Sequence, residues 1–97
     1  MGVFTRIFGE NPKMKLIEYL VYEEPTYFTK EDVRRRISDY ACKRVIPELL
    51  KLGIIVQLLR IGRVDVYSVN KDSEIFKCLV RVKNDLEKII GEGGEDR

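Results

Sequence analysis

Residues 45–67 read VIPELLKLGIIVQLLRIGRVDVY, and this stretch decides the fold. Its first part keeps helical spacing: with Cys42 just upstream, Val45, Ile46, Leu49 and Leu52 fall on one stripe. Gly53 then stops the run, as the residue that most easily closes a helix in the left-handed conformation. After it the period changes. Residues 54–60 and 64–70 are rich in Val, Ile and Leu, and Val64, Val66 and Ser68 alternate with Asp65, Tyr67 and Val69. Ile61-Gly62-Arg63 lies between, with Gly62 able to supply a positive φ, so a helix leading into a β-hairpin is expected. Pro47 is the local misfit. It leaves the Lys43 carbonyl without its helical donor and predicts a kink on the polar face, among Tyr40, Lys43, Arg44 and Lys51.

Upstream, Ser38-Asp39 can cap that helix, which is expected over residues 40–52. Thr29-Lys30-Glu31-Asp32 has the form of a capping box opening a short helix over residues 30–37, with Val33 and Ile37 inward. Tyr27-Phe28 is a short extended piece. Asn11-Pro12 opens an earlier helix, with Asn as N-cap and Pro at the first helical position. Leu16, Ile17, Leu20 and Val21 form its apolar stripe and Pro25 ends it. Downstream, Asn70 or Asp72 is expected to cap a last helix over residues 73–90, closed by Gly91. The order is helix, short strand, helix, helix, hairpin, helix.

Composition bounds the chemistry. The 97 residues make one domain, with 44% hydrophobic and 35% charged side chains and no His or Trp. Without His, the common Ser-His-Asp, Cys-His and His-metal chemistries are excluded. Cys42 and Cys78 alone make no zinc site. There is no phosphate-cradling Gly-rich loop and no nucleophile–base pair, so neither a catalytic residue nor a cofactor is expected. No stretch approaches the ~20 apolar residues of a membrane span. The N-terminus has no signal core, so a soluble cytoplasmic protein is the default.

The element order and several motifs resemble archaeal winged helix-turn-helix DNA-binding transcriptional regulators of the MarR/ArsR-like kind. The resemblance rests on Asn11-Pro12-Lys13 opening a helix through Ile17 and Leu20, and on Phe28-Thr29-Lys30-Glu31. It rests equally on the run from Val45 through Leu52-Gly53-Ile54-Ile55, and on Gly62-Arg63 followed by Val66-Tyr67. It covers about residues 10–90. The turn Arg36-Ile37-Ser38-Asp39 departs from the family pattern in lacking Gly. The resemblance implies an α+β winged helix over residues 11–70. From the residues themselves, an apolar arm over residues 1–10 is expected before it, and a dimerisation helix over residues 71–91 and a flexible tail over residues 92–97 after it.

Charge placement sharpens this. The net +2 splits into −1 over residues 1–29, +5 over residues 30–63 and −2 over residues 64–97. In the resembled family the positive third is the surface that meets double-stranded DNA. The expected contacts are Lys43 and Arg44 to base edges in the major groove. Ser38, Tyr40, Arg34, Arg35 and Arg36 are assigned to the phosphate backbone, with at least one of the three arginines turned away, and Lys51 is counted with the DNA-binding residues. Arg60 and Arg63 at the wing tip are assigned to a flanking minor groove. The plainer reading is that exposed charged helix faces are simply solvated.

In the last helix, Ile75, Leu79, Val82, Leu86 and Ile89 are spaced four, three, four, three, a heptad seam widened by Phe76. Either the helix packs back on its own core, or it pairs with a second copy. The second is favoured, with Phe4 and Phe8 covering the interface. A homodimer would set two recognition helices about 34 Å apart on an inverted repeat. The functional expectation is a repressor. The alternative is a winged-helix protein-interaction module in a transcription or replication assembly. Nothing in the sequence identifies a small-molecule effector.

Overall fold

The computed structural model describes residues 2–94. Over these residues the chain is α+β: five α-helices, a π-helical turn and a three-stranded antiparallel sheet. Helix α1, Val3–Phe8, precedes α2, Pro12–Glu23, β1, Phe28–Thr29, and α3, Lys30–Arg36. A π-helical turn, Ala41–Val45, runs into α4, Ile46–Lys51; β2, Ile55–Ile61, β3, Val64–Val69, and α5, Glu74–Gly94, follow.

The local signals in the sequence act as chemistry requires. The Asn11 side chain accepts from Met14 N–H, with Pro12 at the first helical position. At the other end of α2, Glu24 takes a left-handed φ of 42° ahead of Pro25, which disfavours a helical residue before it. Thr29 and Asp32 form a reciprocal capping box: Thr29 Oγ1 accepts from Asp32 N–H, and Asp32 Oδ2 accepts from Thr29 N–H. At the helix–hairpin junction, Gly53 (φ 77°) donates to Leu50 O and Ile54 N–H donates to Leu49 O. That is the paired bonding of a Schellman motif, and Leu49 and Ile54 are both buried beside it. Asn70 Nδ2 donates to Gly53 O, tying the end of β3 to the same junction.

The irregularity at Pro47 takes the form of the π turn. Ile46 N–H donates to Ala41 O, five residues back. The wider ring shifts the carbonyls ahead of Pro47 off the α-helical track, where its ring would collide with one of them. Ala41, Cys42, Val45, Ile46 and Leu49 are buried; Leu52, expected on that stripe, is exposed because the helix has already ended there.

The sheet order is β1-β3-β2. Phe28 pairs with Tyr67 and Thr29 with Val66, so β1 fixes β3 to the helical body. Phe28 is fully buried between the rings of Tyr19 and Tyr67, at 6.1 and 5.7 Å. The wing turn is tight: Gly62 has φ 61° and Arg63 no positive φ, the pattern of a Gly-first type II′ turn. The expected alternation of β3 breaks at Val66-Tyr67, both buried: Tyr67 belongs to the core cluster, and Val66 is the ladder partner of Thr29.

The N-terminal segment corrects the sequence reading. It is not an arm without partners but a helix with Val3, Phe4 and Thr5 buried. Gly2 has no side chain to cap it, so α2 supplies the cap. Glu18 Oε2 accepts from Thr5 N–H at 2.7 Å and from Thr5 Oγ1 at 3.0 Å, and Glu18 Oε1 accepts from Gly2 N–H at 3.2 Å. Tyr22 Oη accepts from Val3 N–H.

α5 needs correction too. Its cap is Ser73, whose Oγ accepts from Phe76 N–H, rather than Asn70 or Asp72. It continues past Gly91 to Gly94, and residues 95–97 of the expected tail lie outside the described residues. Phe76 is buried in the chain's own core, like Phe4, so neither is available as a free dimer contact. Leu79, Leu86 and Ile90 also pack against that core. Ile75, Val82 and Ile89, seven residues apart, remain exposed, as does Phe8 on α1.

Candidate nucleic-acid interface

The basic third of the chain spans α3, the π turn, α4 and the wing tip. In the turn before the π segment, Ile37 N–H still donates to Val33 O, and Ser38 Oγ accepts from Ala41 N–H at 3.1 Å. Ser38 therefore caps the following helix, and its own O–H has no acceptor among the described residues. Tyr40, in the first turn of that helix, is exposed. With Asn11, Pro12 and Lys13 it lines an apolar-walled groove at the start of α2. Lys13 Nζ meets Glu48 Oε1 at 2.9 Å beside it.

Lys43 and Arg44 both lie in the π turn and are exposed, opposite the buried Ala41, Cys42 and Val45. Lys43 Nζ reaches back to Asp39 Oδ2 at 3.1 Å, while Arg44 has no carboxylate partner among the described residues. Lys51, at the end of α4, is likewise exposed and without one. An exposed pair such as Lys43–Asp39 contributes about 0–1 kcal/mol and yields readily to a phosphate or base edge.

The arginine triplet divides. Arg34 pairs with Glu31, and Arg35 lies 3.4 Å from Asp32 and 3.8 Å from Glu31, all on the exposed side of α3. Arg36 turns the other way. Its guanidinium contacts Glu23 Oε2 at 3.1 Å and lies 4.6 Å over the Tyr19 ring, in a groove also lined by Lys15, Glu18, Tyr22 and Ile37. Arg36 thus ties α3 to α2 and points to another side of the helix than Arg34 and Arg35. The Thr29 backbone N–H holds the Asp32 carboxyl below the usual aspartate range, opposed by slight burial and helped by the Thr29 hydroxyl and Arg35. Asp32 therefore stays charged, and α3 presents alternating charge rather than bare cations.

At the wing, Arg60 Nε sits 3.6 Å from Asp65 Oδ1, which also accepts from Gln57 Nε2 at 3.0 Å. Arg63, in the turn itself, is exposed and has no carboxylate partner among the described residues.

Cys42 lies behind this surface. It is buried, its Sγ–H donates to Lys30 O at 2.7 Å, and burial pushes its thiol above the usual range. It is a packed thiol holding the π turn to α3. Cys78 is exposed on α5. No group of three or more metal-binding side chains occurs among the described residues, and no helix among them is long and apolar enough to cross a membrane.

Three features were missed in the sequence. Lys13 and the Glu18 cap depend on contacts across long sequence separations and leave no local signal. The exposed apolar face of β2 did leave one, in Val56, Leu58, Leu59 and Ile61 all lying on a strand too apolar for a solvated wing. Comparison with known proteins finds no matching family model, no matching curated protein and no matching solved structure.

Proposed function

We propose that this chain is a winged helix-turn-helix protein that binds double-stranded DNA as a homodimer, and that it serves as a repressor at an inverted repeat. One observation carries the reading: Lys43 and Arg44 stand side by side on the solvent face of the helix after the Ser38 cap. A helix about 10–12 Å across fits the major groove, and Arg and Lys match the two acceptors of guanine there. Arg63 at the turn of the hairpin supplies a second cation at the wing tip. Arg34, Arg35, Tyr40, Ser38 and Lys51 flank the helix as phosphate contacts, and Arg60 reaches DNA only by leaving Asp65. Arg36 is assigned a structural role.

The homodimer is proposed through the row Ile75, Val82 and Ile89, with Phe8 and Ile7 of the neighbouring α1 at its margin. This seam is narrower than the full heptad pattern, since half of it serves the chain's own core. A second reading is favoured by one observation: five of the nine cations of the basic third, Arg34, Arg35, Arg36, Lys43 and Arg60, already have intramolecular carboxylates, beside a largely apolar wing. In that reading the chain is a protein-interaction module.

Gel retardation separates the two. The DNA-binding reading expects retardation of the duplex upstream of the chain's own gene at protein concentrations that leave random duplex free. Equal, weak retardation of both, abolished by modest salt, would favour the interaction module.

A further inference from the structure

The order β1-β3-β2 leaves one long edge open, that of β2. The strand has seven residues, no Pro or Gly, and one charge, Arg60. Natural edges are blunted by charge, Pro, shortness or a bulge. Here the single Arg60 and a bulge are present, and the bulge sorts the side chains. Up to Gln57 the register is Ile55↔Val69, Val56↔Ser68, Gln57↔Tyr67; past the extra residue Leu58 it resumes as Leu59↔Val66, Arg60↔Asp65, Ile61↔Val64. Because side chains alternate with a period of two, one extra residue exchanges the faces of everything beyond it. Gln57 and Arg60 therefore share one face with Asp65, which both contact. Val56, Leu59, Ile61 and Val64 share the other, without a charge. Their exposure is high: Ile61 67%, Val64 50% and Leu59 49%, with Leu58 at 52%. The patch is on the order of 400 Å², the size of the largest apolar patch on a typical monomer, which is often functional.

We infer that this edge is an interface between two copies of the chain, with β2 pairing antiparallel to β2 of a second copy to make one six-stranded sheet. The second copy is the occupant because the edge complements itself. The register that keeps like faces together sets Val56 opposite Ile61 of the second copy, Gln57 opposite Arg60, and Leu58 opposite Leu59, each contact made twice about a two-fold axis. Apolar side chains then meet apolar ones on one face. On the other, the Arg60–Asp65 pair meets a neutral amide, and the two Arg60 side chains never oppose each other. Unpaired backbone groups of both edges gain partners. Together the two edges bury on the order of 1,000 Å², enough for a specific contact. The inference does not rest on pairing through α5. If both contacts form, two different two-folds on one chain join copies end to end.

Register-specific disulfide trapping tests it. Full-length chains carrying Val56→Cys or Ile61→Cys are made in a Cys78→Ser, Val82→Asp background, which removes the exposed thiol and the proposed α5 contact. Directly opposed residues on neighbouring strands have Cβ atoms about 4.5–5.5 Å apart, within reach of a disulfide after small adjustment. Mild oxidation of the equimolar mixture should give at least about tenfold more cross-linked dimer than either chain alone, through the high effective concentration in a complex. Equal cross-linking in all three samples, or none in any while circular dichroism shows each chain folded, would overturn the inference. In the same background, Leu59→Glu should raise the dimer dissociation constant at least about tenfold in sedimentation equilibrium, since a desolvated unpaired charge sits at the contact; an unchanged constant would overturn it equally.

Discussion

Replacing Glu18 by Ala removes the group that seats α1. Its carboxylate accepts Thr5 N–H at 2.7 Å, Thr5 Oγ1 at 3.0 Å and Gly2 N–H at 3.2 Å. Thr5 is only 6% exposed, so its backbone N–H has no ready replacement in water. Leaving such a buried donor unpaired costs about 1–3 kcal/mol. Loss of a negative group at a helix N-terminus adds roughly 0.5 kcal/mol. The alternative route, undocking α1, sends Val3 and Phe4 to solvent at about 1.5–3 kcal/mol each. The chain takes the cheaper route, so the expected loss is about 2–3 kcal/mol, against roughly 5–15 kcal/mol for a whole domain. Chemical denaturation should report that loss as a lower midpoint with an unchanged slope, and thermal melting as a fall on the order of 10–20 °C. Glu18→Gln keeps one acceptor oxygen and should lose about half as much. Hydrogen exchange at Thr5 should accelerate in step. A change below about 0.5 kcal/mol with Thr5 still protected would refute the idea that α2 caps α1.

Other perturbations separate the roles of neighbouring residues. Phe76→Ala, in the core, should destabilise by about 3–5 kcal/mol, whereas Ile75→Ala beside it should stay within about 0.5 kcal/mol in the monomer and weaken only self-association; equal effects in denaturation would contradict the division of α5. Asp32 is held charged in the folded chain by Thr29 N–H, so the capping box contributes fully above the usual aspartate range and is lost as pH falls through the lowered folded value. Asp32→Asn should flatten that acid limb of the stability curve, and an unaltered limb would count against the box. Cys78 should react rapidly with a thiol reagent at neutral pH, and Cys42 only on the timescale of opening, because it is buried and its thiol is pushed upward; comparable rates would show that the π turn opens freely.

Much of the architecture was legible because its signals are local. Asn11-Pro12, the Thr29–Asp32 box, Gly53 and Gly62 each act within four residues, and each sits where the sequence placed it. What failed was decided by contacts far apart in the chain. Phe4 looked partnerless because its partners lie on α2 and α5. The heptad pattern of α5 is real, but it does not say which half of the stripe faces the chain's own core. Leu79 and Leu86 went inward and Ile75, Val82 and Ile89 did not. The bulge at Leu58 was illegible for another reason. A pattern of alternating side chains shows the faces of a strand only if no residue is extra, and no Gly marks this one. Within the basic third the count of charges was visible, but the division of Arg34, Arg35 and Arg36 was not, since it depends on Glu23 and Tyr19 of α2.

The central claim is that Lys43 and Arg44 read DNA from the π turn that runs into α4. Its most direct measurement is gel retardation by the Lys43→Ala, Arg44→Ala double variant on a duplex selected by the unmodified chain. Both side chains are exposed, so the fold should be retained. A base contact of this kind contributes about 1–3 kcal/mol, so the pair predicts a loss of affinity of about 30-fold or more on the selected duplex. Binding to random duplex should fall only through the two lost positive charges. Affinity for the selected duplex within about threefold of the unmodified chain, less than a single base contact supplies, would contradict the account.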